Sequence, residues 1–161
     1  MRIMVVAAAL ILFPLGAWAG EPCAVKRVFD GDTIKVDCAG REETVRLYGI
    51  DAPEMRHDFG KEARAFAKGL LDGKAVRLRE RGRDHYGRLL AFVILPGGKS
   101  LNYELARAGW ARVYAGRFAP ESDATNDKYT LAEIAARTGK IGMWRRGFPQ
   151  DAMILRCFIF A

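Results

Sequence analysis

Val25-Lys26-Arg27-Val28-Phe29-Asp30-Gly31-Asp32-Thr33-Ile34-Lys35-Val36-Asp37-Cys38 carries the clearest structural signal in the chain. Two runs, Val25 to Phe29 and Thr33 to Cys38, flank Asp30-Gly31-Asp32, and in the second run Ile34, Val36 and Cys38 alternate onto one face. The pattern predicts a β-hairpin that turns at Asp-Gly, a pair that supplies the positive φ such turns favour. Cys23 and Cys38 bracket this hairpin, so their side chains can meet near its open end. A bond there closes a loop worth about 3 kcal/mol in the chain-entropy model. Zinc is a poor alternative, because neither His57 nor His85 lies at ligand spacing from a cysteine. Cys157 is then left unpaired or intermolecular.

Beyond the hairpin a third strand is expected over Thr44 to Tyr48, with Val45 and Leu47 facing the core and Arg46 on the opposite face; Ala52-Pro53 stops it. From Gly60 to Leu71, residues Ala63, Phe66, Ala67, Leu70 and Leu71 recur at helical spacing opposite Lys61, Glu62, Arg64 and Lys68, and Gly73 ends that helix. Ala75 to Arg79 alternates as a strand, and Leu89 to Leu95 is a continuous apolar run suited to a strand buried on both faces. Asp84-His85-Tyr86-Gly87 turns between them. Ser100 can cap a short helix over Leu101 to Ala108, Ala111 to Tyr114 is a brief strand, and a third helix over Asp127 to Thr138 would bury Leu131, Ile134 and Ala135. Five short strands with interspersed helices predict an α+β domain built on a small closed or partly closed barrel.

At the amino end, Arg2, the apolar run Ile3 to Leu15 and Ala17-Trp18-Ala19 have the layout of a secretory signal with an A-x-A cleavage site, so residues 1–19 are set aside and the mature chain starts at Gly20. The run is shorter than the ~20 residues that a spanning helix needs, which argues against stable membrane insertion once the signal is removed. The expected domains are therefore a signal at 1–19, a functional domain at 20–144, and a tail at 145–161 whose apolar Met153 to Leu155 and Phe158 to Phe160 have no evident role. A net charge of +7 with a pI near 9.6 suggests a polyanionic partner.

The chemistry-bearing residues are dispersed: Asp32, Arg46, Asp51, Glu54, and Arg88 after Tyr86-Gly87. Two carboxylates that can hold a hard cation, a third that can handle a water proton, and two arginines that can grip a phosphate are the parts of a metal-assisted phosphodiesterase. Each piece alone is commonplace. Together, Val28-Phe29-Asp30-Gly31-Asp32-Thr33, Arg46-Leu47, Asp51-Ala52-Pro53-Glu54, Asp84-His85-Tyr86-Gly87-Arg88 and Gly142-Met143-Trp144 resemble the thermonuclease family, typified by staphylococcal nuclease, over roughly residues 24–144.

That resemblance implies a five-stranded OB-fold β-barrel with three α-helices, which binds one Ca2+ and hydrolyses DNA and RNA phosphodiesters to leave 3′-phosphates. It assigns Asp32, Asp51 and the backbone carbonyl of Ala52 to the metal, Glu54 to the attacking water, Arg46 and Arg88 to the scissile phosphate, and Tyr86 and Tyr114 to the nucleotide. The chemistry suits these roles. Two carboxylates and a carbonyl leave coordination positions open on Ca2+, an ionised Glu can accept a proton from water, and a guanidinium donates two parallel bonds to phosphate oxygens. Ala52 stands where Thr is common, and His85 replaces the usual Lys. The segment between Glu54 and the first helix is shorter than in the staphylococcal enzyme.

The leading expectation is thus an exported, monomeric Ca2+-dependent nuclease, periplasmic or secreted, that acts on DNA and RNA with single strands favoured. The alternative is a non-catalytic OB-fold module that binds single strands through a basic groove and stacking aromatics. A wall-associated protein that uses its charge and apolar tail on an anionic envelope is a third reading.

Overall fold

The computed structural model describes residues 20–114 and 123–146. Residues 1–19, where an export signal was expected, Cys157 and the apolar tail from 147 onward lie outside the described residues.

Cys23–Val28 (β1) and Thr33–Cys38 (β2) form the hairpin, with Val28 opposite Ile34 beside the turn. The turn is closed by the Phe29 N–H, which donates to the Thr33 carbonyl at 2.9 Å, and by the Asp30 carboxylate, which accepts from the Asp32 N–H at 3.0 Å. Gly31 does not adopt a positive φ, so the expected reason for its presence is corrected. A Cβ at position 31 would come within 2.6 Å of the Ala52 Cβ and 3.0 Å of the Ala63 Cβ. Glycine is needed here for close approach of three segments.

Arg41–Leu47 (β3) is longer than expected and pairs antiparallel with β2 along its whole length. Ala75–Arg83 (β5) and Leu89–Ile94 (β6) pair antiparallel, β6 runs parallel to β3 with Val45 opposite Leu89, and β1 meets β5 at Cys23 and Val76. The result is a closed five-stranded barrel in the order β1-β2-β3-β6-β5, of the OB type that was expected. A disulfide joins Cys23 to Cys38 across a Cα separation of 4.2 Å, at the edge where β1 also meets β5. Ile34, Val36, Val45, Leu47, Val76 and Val93 are among the fully buried aliphatic side chains of the strands.

The helices cover the barrel. Gly60–Leu71 (α1) buries Ala63, Ala67 and Leu71, whose spacing of four residues places them on one stripe. Leu101–Arg107 (α2) is capped by the Ser100 hydroxyl, which accepts from the Tyr103 N–H at 3.4 Å. Asn102, fully buried on α2, fastens the helix to the barrel. Its Oδ1 accepts from the Val93 N–H at 3.0 Å, and its Nδ2 donates to the carbonyls of Tyr48 at 2.9 Å and Ala91 at 3.3 Å. Leaving such donors and acceptors unmet in the core costs about 1–3 kcal/mol each, so Asn102 is a fixed point of the fold.

Two expectations are corrected. Ile50–Asp51 (β4), between the expected third strand and the Ala52-Pro53 stop, is itself a short strand that pairs antiparallel with Arg112–Val113 (β7). The third helix, Asp123–Thr138 (α3), starts earlier than expected and turns a different face inward. Leu131 is 64% and Ile134 51% exposed, and Ala135 is also exposed, while Tyr129, Ala132, Glu133 and Ala136 are buried. Polar anchors chose that face: the Tyr129 hydroxyl lies 2.9 Å from the Ser100 hydroxyl, and the Glu133 carboxylate accepts from the Val113 N–H at 2.9 Å. The two alanines then allow α3 to pack closely. After α3, the 3-10 turn Gly142–Arg146 buries Gly142, Met143 and Trp144.

Candidate active site

The β2–β3 register opposes Thr33 to Arg46, and the Leu47 N–H donates to the Asp32 carbonyl at 2.8 Å, so the start of β2 and the end of β3 lie side by side. The short β4–β7 sheet brings Asp51 to the same place. Arg46 bridges the two acids: its Nη1 is 2.7 Å from Asp32 Oδ2 and its Nη2 is 2.7 Å from Asp51 Oδ1, with Nη1 also donating to the Ile50 carbonyl at 3.0 Å. Asp32 Oδ2 accepts from the Ala52 N–H at 2.6 Å, and the Thr33 hydroxyl donates to Asp32 Oδ1 at 3.1 Å. The Asp32 side chain is 5% exposed, against 16% for Asp51 and 18% for Arg46.

Burial pushes the Asp32 carboxyl up to about 8; Arg46 pulls it back, Asp30 and Asp51 add to the rise, and the Ala52 N–H lowers it. Burial alone would depress the Arg46 guanidinium. The negative charges of Asp32, Asp51, Asp30 and Glu54 outweigh that and hold it above its ordinary value. Four acids thus act on one buried cation, and the pocket is short of positive charge.

Glu54 is half-buried on the loop that leads into α1. The His57 N–H donates to the Glu54 carbonyl at 2.9 Å, and the Gly60 N–H to the His57 carbonyl at 3.1 Å. A Cβ on Gly60 would run into the Glu54 backbone carbonyl, so only glycine lets the helix start this close to the loop. Arg64 adds a second tie, donating from Nε to the Val28 carbonyl at 2.9 Å.

Arg88 is held differently. Asp84 Oδ1 accepts from the backbone N–H groups of Tyr86 at 3.0 Å and Arg88 at 2.9 Å, while Oδ2 accepts from Arg88 Nε at 2.7 Å. Burial would raise the Asp84 carboxyl, but the bonds from Arg88 and the Tyr86 N–H hold it below its ordinary value. The Tyr86 ring is 58% exposed, 3.8 Å from the His85 ring and 5.3 Å from the Arg88 guanidinium carbon. The turn joins β5 to β6, and in β6 Leu90 stands opposite Arg46, so Arg88 enters the strand that runs parallel beside Arg46.

The structure therefore gathers Asp32, Arg46, Asp51, Ala52 and Glu54, and sets Tyr86 and Arg88 on one turn of the neighbouring strand. Tyr114 is half-buried just after β7, with its N–H donating to the Gly49 carbonyl at 2.9 Å beside the segment that carries Asp51. Sequence reasoning missed Asp84 as the holder of Arg88, although an acid four residues before an arginine was a legible signal. It also missed Thr33 and the packing roles of Gly31 and Gly60, which no local pattern announces.

The carboxylate pair suits a hard divalent cation. Asp32 and Asp51 already converge on a cation, and the surplus of acids and the elevated Asp32 both call for more positive charge. Among the described residues no cluster of three or more acidic, histidine or cysteine side chains is placed to hold a metal, so protein donors beyond this pair would come from the backbone.

Residues 44–146 match the family model described as staphylococcal nuclease homologue. A thermonuclease of Staphylococcus intermedius is 40% identical over 139 residues, covering 79% of this chain and 78% of the relative. An uncharacterized endonuclease of Escherichia coli O157:H7 is 37% identical over 132 residues, 82% of each chain. A micrococcal nuclease of Shigella flexneri is 35% identical over 150 residues, 87% of this chain and 83% of the relative. With the barrel, the acidic pair and the arginine turn in place, the chain belongs to the staphylococcal nuclease family.

Proposed function

We propose that this protein, a nuclease hydrolase by its family, is an exported Ca2+-dependent enzyme that cuts DNA and RNA phosphodiesters and leaves 3′-phosphates. The observation that carries the reading is the convergence of Asp32 and Asp51, each 2.7 Å from one guanidinium, with Glu54 acting on the same cation. The Asp32 and Asp51 carboxylates and the Ala52 carbonyl would hold Ca2+. When bound, the ion supplies positive charge to a phosphate oxygen and strengthens the electrophile.

The rest falls to the chain's own groups. Glu54 accepts a proton from a water in line with the phosphorus, the water oxygen bonds to phosphorus, and the bond to the 5′ oxygen breaks as that oxygen takes up a proton from solvent. Arg88, its Nε held by Asp84, presents the remaining guanidinium N–H groups to the phosphate, where they follow the growing negative charge. Arg46 holds the two acids together and shares its charge with the site. Tyr86, exposed beside Arg88, offers a face for a base to stack on. Residues 1–19 fit an export signal, and a mature domain rich in Lys and Arg fits a polyanionic substrate.

The test is release of acid-soluble nucleotides from single-stranded DNA and RNA in Ca2+, Mg2+ and chelator, comparing the parent chain with Glu54→Gln. Activity in Ca2+ that chelator abolishes and Glu54→Gln reduces by about 10² to 10⁴ supports the reading. Full activity in chelator, or in Glu54→Gln, overturns it.

A further inference from the structure

Strand β5 continues from the Tyr86–Arg88 turn as a row of cations. The β5 sequence Ala75-Val76-Arg77-Leu78-Arg79-Glu80-Arg81-Gly82-Arg83 alternates, with Val76 buried and Leu78 packed on the core while Arg77 and Arg79 stand exposed on the outer wall. A residue and its second neighbour on a strand share a face about 6.7 Å apart, so Arg77 and Arg79 form a regular pair of positive charges. Arg83, at the end nearest the turn, is committed to the barrel: it makes two bonds to the Glu43 carboxylate, at 2.8 and 3.0 Å, and one to the Gly87 carbonyl at 2.8 Å. Among the described residues no carboxylate forms an ion pair with Arg77 or Arg79.

Aromatic rings floor this wall. The guanidinium of Arg79 lies 4.6 Å and that of Arg81 5.5 Å from the Phe92 ring centroid. Phe92 stands 6.2 Å from Tyr129, Tyr129 stands 5.5 Å from Tyr103, and the Lys128 ammonium lies 4.4 Å from the Tyr103 ring. Tyr103 is half-buried and Lys128 exposed. Uncompensated cations at regular spacing beside a partly open aromatic are the features that hold a single polynucleotide strand by its phosphates and bases.

We propose that Arg77, Arg79 and Lys128, with Tyr103, form a second phosphate-binding track that receives the part of a single-stranded polynucleotide extending beyond the catalytic pocket. The inference rests on the nuclease reading. The track makes no contact with the reacting phosphate; it adds affinity for long strands and leaves the chemical step alone. A strand too short to reach from the pocket along β5 gains nothing from it.

The experiment measures fluorescence anisotropy of labelled oligothymidylates of about four and about sixteen nucleotides, without divalent ions, across a salt series. The chains compared are the parent, Arg77→Gln/Arg79→Gln/Lys128→Gln, the charge-keeping Arg77→Lys/Arg79→Lys, and a control of equal net charge, Lys68→Gln/Lys74→Gln/Lys140→Gln. Removing three phosphate contacts lowers the slope of log affinity against log salt by about two for the long strand. Its affinity falls at least tenfold at low salt, while the short strand, the charge-keeping variant and the control stay near the parent. Equal losses on both lengths, or an equal loss in the control, would show net charge at work and overturn the track, as would no loss at all. Because binding is read without hydrolysis, a parent chain that fails to cut but shows the length-dependent loss defeats the catalytic reading alone.

Discussion

Arg46 on β3 and Arg88 on the turn that enters the neighbouring β6 carry the same guanidinium, yet one is held by tertiary structure and the other by its own turn. Arg46 is 18% exposed and bonded to partners brought by β2 and β4, so its surroundings exist only once the barrel has closed. Arg88 is 32% exposed and its carboxylate partner Asp84 is four residues away. The difference teaches that a candidate site can combine a buried charge cluster, where any change is felt by the fold, with a locally organised arm that can be altered at little structural cost. Deleting one member of a buried pair leaves an uncompensated charge, while deleting a half-exposed side chain leaves mostly water.

The largest effect should come from Arg46→Ala, which leaves the Asp51 carboxylate without its cation and Asp32 and the Ile50 carbonyl without their donor. Urea unfolding should show a loss of about 3–5 kcal/mol, and nuclease activity should disappear with it. A loss below 1 kcal/mol would erase the contrast between the two arginines. Arg88→Ala should behave in the opposite way, with kcat falling about 10² to 10³ while the unfolding free energy stays within about 0.5 kcal/mol of the parent.

The buried side can be probed by pH. Asp32 is raised from 3.8 to about 8, so its neutral form is favoured in the folded, ion-free chain. The sign follows: that contribution to stability is fully present below the unfolded value and is lost as pH rises through the folded one, so ion-free stability should decline between about pH 4 and 8. A bound cation relieves this by favouring the carboxylate. Ca2+ at a hundredfold over its Kd should add about 2.7 kcal/mol, and binding below pH 8 should release close to one proton, seen by calorimetry in buffers of different ionisation enthalpy. Ca2+ binding without proton release would remove Asp32 from the metal site. The smallest change is Asp84→Asn, which keeps the backbone bonds of the turn but loosens Arg88. Activity should fall about tenfold, roughly 1.4 kcal/mol, with the loss concentrated in kcat.

Much of this was legible beforehand because it is local. The hairpin, α1, the Ser100 cap and the buried run Leu89 to Leu95 follow from periodicity and turn chemistry within about a dozen residues. The pieces misread were those decided at a distance. Leu131 and Ile134 gave α3 an apolar stripe, but the helix docks through Tyr129 and Glu133 because Ser100 and the Val113 N–H wait for them across the chain. No strand was expected over Ile50–Asp51, and Asp51 is a strand residue only because Arg112 comes to pair with it.

By itself, the order of residues determined which groups are present for chemistry and which short segments bend, coil or extend, since those depend on neighbours along the backbone. The folded barrel alone decided that Arg46 bridges Asp32 and Asp51, that Gly31 and Gly60 serve close approach, and that Asp32 is driven toward its neutral form. Those outcomes require groups distant in sequence to be packed together away from water, where the energies of burial and charge are set by everything around them.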